Sequence, residues 1–409
     1  MDRGRLRWGA AIVAAVVVAE LAVVLLRPRS GVIEPAPVPT ESYFSAQEID
    51  RARDYRRPQL AIYGGVLVVE LGLLALLIAR PPARLRGPFR RPVLAGAAAG
   101  AALSVAVSVA ILPLQVVSRE RAKDVGLVTQ SWGGYARDKS ISWGIGAVIA
   151  GLGAATAVGL IRRYPRGWWA PSSAIVVAFG VASIYAGPVV LDPVFNTFTA
   201  LPAGQTRDDV LELAKRAGVD IGEVYSVDAS RRSTAANAYV AGLGATKRVV
   251  LYDTLLENFE RDEVRLVVAH ELAHQHYDDV PNGLLYLAIV APFGLFAVAQ
   301  VTRRLAPDGG HEPGPAVLPA LALSLVVMTT TITTISNQLS RRVEARADSY
   351  SLMLTGEPKP FIGFEKRIAL RNLSDPEPPG WQTVLLATHP PTMQRIGIGV
   401  AYERGARSP

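Results

Sequence analysis

The stretch His270-Glu271-Leu272-Ala273-His274 sets two imidazoles four residues apart with a carboxylate between them. On a helix, positions i and i+4 share one face, so both rings can reach a single metal ion. Glu271 lies one step round that helix, within reach of a water that the metal activates for attack on a peptide carbonyl. Val264, Leu266, Val267, Val268 and Ala269 come just before the pair and supply apolar residues for packing a helix. Catalytic zinc takes three protein ligands and leaves one position open. The chain has no cysteine, which excludes thiolate sites, disulfides and iron–sulfur clusters. Its histidines are His270, His274, His276, His311 and His389. His276 cannot share a ligand face with both motif histidines, because i+2 points elsewhere on a helix. It reads as structural or pocket-lining. A glutamate is therefore the better third ligand. Glu344 and Asp348 stand one turn apart in Arg341-Arg342-Val343-Glu344-Ala345-Arg346-Ala347-Asp348. Glu344 can complete a zinc site, and Asp348 can hydrogen-bond the far nitrogen of a zinc histidine and fix its tautomer. Beside arginines such a pair, taken alone, reads as an exposed ion-paired helix face. The two-histidine motif shifts the reading to a metal site.

These residues need elements to hold them, and the composition says what kind. Half of the 409 residues are hydrophobic, and the mean hydropathy is positive. The net charge is +8, carried mostly by arginines in short clusters between apolar runs. A nucleic-acid binder gathers such charge into one basic patch; this arrangement is that of a polytopic membrane protein instead. A bilayer core about 30 Å thick needs about 20 apolar residues of helix. Seven stretches qualify, near 9–26, 58–79, 92–117, 142–161, 170–191, 282–302 and 315–336. The first reads as a retained span. The fourth is rich in Gly and Ala, which permits close packing against neighbouring helices. Glu20 and Glu70 fall inside spans, where a carboxylate lines a polar interior or is neutralised.

The division expected is five spans in 1–191, a first polar segment at 192–281, two spans in 282–336 and a second polar segment at 337–409. The first polar segment predicts a helix over 206–217, started by Thr206, Arg207, Asp208 and Asp209. Glu223–Asp228 and Arg248–Tyr252 read as strands, with Gly242 and Gly244 marking a bend between them. The zinc ligands come from both polar segments, so the site must assemble across spans six and seven.

Several ordered pieces resemble the type I CAAX prenyl endopeptidases, membrane gluzincins with seven spans. The pieces are Asp192-Pro193-Val194-Phe195-Asn196 with Phe198-Thr199, Asn237-Ala238-Tyr239, Arg248–Leu256, the HELAH helix, the ExxxD helix, and His389-Pro390-Pro391 with Arg395. They cover roughly residues 192–397. The resemblance implies a mostly α, seven-span protein with a gluzincin-like α+β zinc metallopeptidase domain and one Zn2+ per chain. It implies that Asn237, Ala238 and Tyr239 lead an edge strand that pairs with extended substrate. It gives His389 a place at the developing oxyanion and Arg395 a part in ordering that loop. The peptidase chemistry carries over; the prenylated substrate does not.

The reading is thus a metalloendopeptidase of the plasma membrane, acting on a peptide or membrane-protein substrate in contact with the bilayer, with no nucleic acid involved. The competing reading is a catalytically inactive, protease-derived scaffold or receptor. The loops 80–91 and 162–169 are the most densely basic and, with the basic N-terminus, would put the polar segments outside the cell. The resemblance implies a site open to the cytoplasm, and that orientation is the one expected.

Overall fold

The computed structural model describes residues 3–86, 89–242, 247–306 and 314–406; His311 and Gly244 lie outside them. Five long helices come first: α1 (Arg3–Leu26), α2 (Ala46–Ala79), α3 (Pro92–Asp124), α4 (Trp132–Arg163) and α5 (Trp169–Val190). A one-turn α6 (Asp192–Phe195) leads into β1 (Phe198–Ala200), α7 (Gln205–Arg216), β2 (Glu223–Val227), β3 (Ala238–Ala241) and β4 (Arg248–Tyr252). Then follow α8 (Asp253–Asn258), α9 (Arg261–His276), α10 (Asp279–Leu305) and α11 (Leu318–Thr355), and last α12 (Pro358–Arg371), α13 (Gly380–Leu386) and α14 (Thr392–Ala406). Among the described residues seven helices are long and apolar enough to cross a membrane: α1 to α5, α10 and α11.

Hydropathy marks the lipid-covered part of each helix and understates its length. The helix around 58–79 starts at Ala46, where Ser45 and Glu48 form a reciprocal capping box. Residues 118–124 and 132–141 are likewise helical extensions of α3 and α4 rather than loops. Most notably, α11 continues without a break from the seventh span to Thr355. Its 38 residues rise about 57 Å, so roughly half of its length exceeds a 30 Å hydrocarbon core.

Small residues set the closest helix contact. Gly151 of α4 faces the Ala97 carbonyl of α3, and Gly100 of α3 faces Ala154 and the Ala150 carbonyl. Close backbone approach of this kind is how helices associate where lipid removes the hydrophobic drive. Helix α1 packs against α10 and α11 through buried Ala15, Ala19 and Ala22.

The four strands form one mixed sheet in the order β1-β2-β4-β3. β1 is antiparallel to β2, β2 parallel to β4, and β3 antiparallel to β4, so β3 is an edge. Val224, Val249 and Leu251 of the sheet pack with Val210 and Leu213 of α7 and with Val264, Val268 and Leu272 of α9. All of these are buried, and they fix α9 against the sheet. Gly242, at the end of β3, holds a positive φ of 106° that suits the bend expected there.

Candidate active site

Helix α9 begins with a capping box between Glu260 and Glu263. It buries Val264, Val268 and Leu272 and turns His270 and His274 toward α11. Nδ1 of His270 is 2.9 Å from Asp348 Oδ1, and its Nε2 is 3.1 Å from Glu344 Oε2. His274 repeats the arrangement. Its Nδ1 is 2.9 Å from Asp279 Oδ2, and its Nε2 is 3.8 Å from Glu344 Oε1. Each ring is thus held at Nδ1 by a carboxylate and presents Nε2 to the same glutamate, the orientation that metal-binding histidines take.

Donor atoms of His270, His274 and Glu344 all lie within 4.8 Å of one another. Ligands about 2.1 Å from a tetrahedral ion stand about 3.4 Å apart, so the separations of 3.1 and 3.8 Å suit one small cation. Electrostatics agree. Burial opposes charge on His270, yet its bonds to Asp348 and Glu344 raise its pKa well above the ordinary value. A cluster that draws a positive charge this strongly is chemically fit for a divalent ion. Glu271 stands beside the two rings, and burial pushes its carboxyl up despite the pull of the charged histidines. A carboxyl held above the ordinary glutamate range is suited to taking a proton near neutral pH.

His389 comes from the segment before α14. Its Nε2 is 3.2 Å from Glu344 Oε2, and its Nδ1 is 2.9 Å from Thr388 Oγ1. The segment leading to it is tied down by Arg341 of α11, which donates to the carbonyls of Thr383 and Ala387. Arg395 of α14 sits deeper. Its guanidinium forks onto Asp348, with Nε 2.7 Å from Oδ2, and Nη1 is 3.0 Å from Glu365 Oε2. One buried chain therefore runs His270–Asp348–Arg395–Glu365 through α9, α11, α14 and α12.

A cleft beside the rings is lined by Asn237, His270, Glu271, His389 and Arg395. Asn237 is exposed and precedes edge strand β3, while Ala238 is buried in the core beneath the sheet. Tyr239 is not brought to this cleft. Its hydroxyl bonds Asp192 Oδ2 at 2.9 Å, and burial first and that carboxylate second raise its pKa. Ala238 and Tyr239 are successive strand residues and point to opposite faces, and it is the bond to Asp192 that takes Tyr239 away from the cleft. His276 stacks on Tyr350, with ring centroids 4.6 Å apart, and its Nδ1 meets the Ala217 carbonyl at 3.0 Å. Glu20 accepts a hydrogen bond from Gln338 at 2.9 Å. Glu70 lines an apolar cavity between membrane helices.

Three residues of this assembly do not stand out in the sequence. Asp279 holds His274, Arg346 pairs with Asp279, and Glu365 braces Arg395. Asp279 carried a faint signal, an acid just past the helix that ends at His276. Between the two helices Asp278 takes a left-handed conformation, φ 53°, which breaks the chain direction and sets Asp279 beside the ring.

Residues 200–397 match the family Peptidase family M48. The uncharacterized metalloprotease YhfN of Bacillus subtilis is 31% identical over 70% of this chain and 68% of its own length. The CAAX prenyl protease 1 homolog of Oryza sativa is 30% identical over 51% of this chain and 50% of its own length, so the chain spans about half of that protein. The crystal structure of S. mikatae Ste24p superposes with a TM-score of 0.75 over 98% of this chain and 99% of that one, at 18% identity, a likeness of fold. Fold and matches together define a multi-pass membrane metalloprotease. The chain belongs to peptidase family M48 and is a relative of the type I CAAX prenyl endopeptidases.

Proposed function

We propose that the protein is a zinc-dependent endopeptidase of the plasma membrane that hydrolyses peptide bonds, with its site open to the cytoplasm. The observation that carries the reading is the cluster of His270, His274 and Glu344 donor atoms within 4.8 Å of one another, beside Glu271. His270 and His274 would hold the ion through Nε2 and Glu344 through its carboxylate. When bound, zinc supplies a Lewis acid that acidifies the attacking water and polarises the scissile carbonyl.

The chain's own residues do the rest. Glu271 takes a proton from the attacking water and passes it to the leaving amine. His389 donates a hydrogen bond toward the carbonyl oxygen as it gains charge. Asp348 and Asp279 keep each zinc histidine in the tautomer that leaves Nε2 free. Arg395 holds Asp348 in place. The backbone at Asn237 and along edge strand β3 offers main-chain groups for an extended peptide to add alongside. The substrate is then a peptide or a membrane-protein segment in extended form.

The test is zinc content with peptide cleavage, on the purified protein and on Glu271→Gln. The expected outcome is about one zinc per chain in both, as one three-ligand site requires, with cleavage by the parent alone. A parent that takes up zinc and cuts no peptide favours the inactive scaffold. A parent that takes up no zinc overturns the metal site. Orientation is read separately. The chain has no cysteine, so single cysteines placed in residues 118–131 or 380–388 report their side by thiol labelling.

A further inference from the structure

The buried chain from His270 ends at Glu365, and its last atom has nothing to bind. Oε2 of Glu365 is engaged by Arg395 at 3.0 Å, but Oε1 is buried without a hydrogen-bond partner. The side chain is almost fully buried, at 1% exposure. Buried carboxylate oxygens are normally paired, and one that is not marks a place where a group belongs. Glu365 lines the same cleft as Glu271, His389 and Asn237, a cavity of about 150 Å³. Its other walls include Leu255, Leu266, Phe361, Phe364 and Ile368. A cavity of that size holds one medium side chain, about as bulky as benzene. Asp348 and Glu365 share the single guanidinium of Arg395. Burial raises the Glu365 carboxyl, against the pull of Arg395.

The geometry points to a substrate subsite next to the scissile bond, selective for an aliphatic side chain that ends in a cation, with Glu365 as its specificity-determining residue. Lysine fits best. Its methylenes lie along the leucine and phenylalanine walls, and its ammonium reaches Oε1. Arginine, longer and ending in a wide planar group, is disfavoured by the size of the cavity. The subsite rests on the peptidase reading above, since its mouth is formed by the proposed base and oxyanion donor.

The experiment uses the full chain in detergent, loaded with zinc, and quenched peptides in which each position near the cut is varied. Lysine is compared with norleucine, which keeps the length and removes the charge. One position flanking the mapped cut should show kcat/KM on the order of tenfold or more in favour of lysine, as a hydrogen bond to a charged group supplies. In Glu365→Gln, which still offers Arg395 an acceptor, that ratio collapses toward one, whatever happens to the absolute rate. Ile368→Phe fills the cavity without touching the ion pair. It should slow lysine and norleucine peptides together and leave glycine favoured at that position. Three outcomes overturn the subsite: no position preferring lysine in the parent, a lysine ratio that survives Glu365→Gln, or an Ile368→Phe protein with unchanged selectivity. A parent that cuts none of the peptides despite full zinc loading removes the peptidase reading itself, and the subsite with it.

Discussion

Replacing Asp348 with asparagine separates the two tasks of that carboxylate. Oδ1 faces His270 Nδ1 at 2.9 Å and also meets Arg395 Nη2, while Oδ2 takes Arg395 Nε at 2.7 Å. An asparagine has one oxygen. If it stays on the His270 side, the amide N–H2 opposes the Arg395 Nε–H; if it turns over, the clash moves to His270. Either way two donors face each other in a fully buried place, at a cost of about 1–3 kcal/mol. The first arrangement keeps the ring oriented, so zinc affinity should fall only about tenfold, the mild end for carboxylates behind metal ligands. Asp348→Ala gives no such choice. His270 loses its partner outright, and zinc binding should weaken toward 100-fold, or about 2.7 kcal/mol. The stability loss should lie near 3 kcal/mol, the low end for a broken buried pair, because Glu365 still holds the other edge of Arg395. Competition against a chromophoric chelator gives the affinities, and thermal melts of the metal-free proteins give the stabilities. Equal zinc affinity in all three proteins would refute the idea that Asp348 acts through His270.

The other predictions test separate parts of the molecule. His389→Ala should lower kcat by about 10²–10³ with zinc content unchanged, read from steady-state kinetics and metal analysis together. Gly100→Ala should destabilise by about 1–3 kcal/mol through overpacking, because the added methyl meets Ala154 and lies 2.8 Å from the Ala150 carbonyl; unfolding in mixed micelles measures it. The Asp209–Arg261 pair ties α7 to α9, and hydrogen bonds from Arg261 hold the Asp209 carboxyl below its ordinary value despite burial. A lowered folded value means stability that is present above the unfolded value of about 3.9 and lost as pH falls through the folded one. The melting difference between parent and Asp209→Asn should therefore be seen at pH 7 and shrink in acid.

Much of this architecture is written in local patterns. The seven spans are legible because apolar length has to match the bilayer, and α9 because apolar spacing, first-turn acids and the paired histidines coincide on one segment. β2 and β4 are legible from alternation and β-branched content. β1 is not, since three residues carry no period to read. The helical extensions of α2, α3 and α4 were hidden for a different reason. Hydropathy falls when a helix leaves lipid, although its backbone hydrogen bonding continues. Around the candidate site, His270, His274, Glu344 and Asp348 stand at i, i+4 spacings on two helices, which makes them visible, and the structure brings them into one cluster. Asp279 and Glu365 reach the cluster only through tertiary packing. An acid that begins a membrane helix, or one inside an amphipathic helix, looks ordinary until its neighbour is known. Tyr239 shows the converse: lying two residues from Asn237 does not bring its hydroxyl to the cleft, because it turns to Asp192 instead.

The membrane helices also limit how this enzyme can be dissected. Asp279, which holds one histidine, is the first residue of α10, and Glu344 and Asp348 lie near the far end of the same rod that crosses the bilayer as α11. A soluble fragment made by joining the two polar segments would cut α11 near residue 337 and discard all of α10 past its first three residues. It would keep the two-histidine motif on a helix whose carboxylate neighbours had lost their anchorage. The supports of both histidines are thus built into helices that also cross the bilayer.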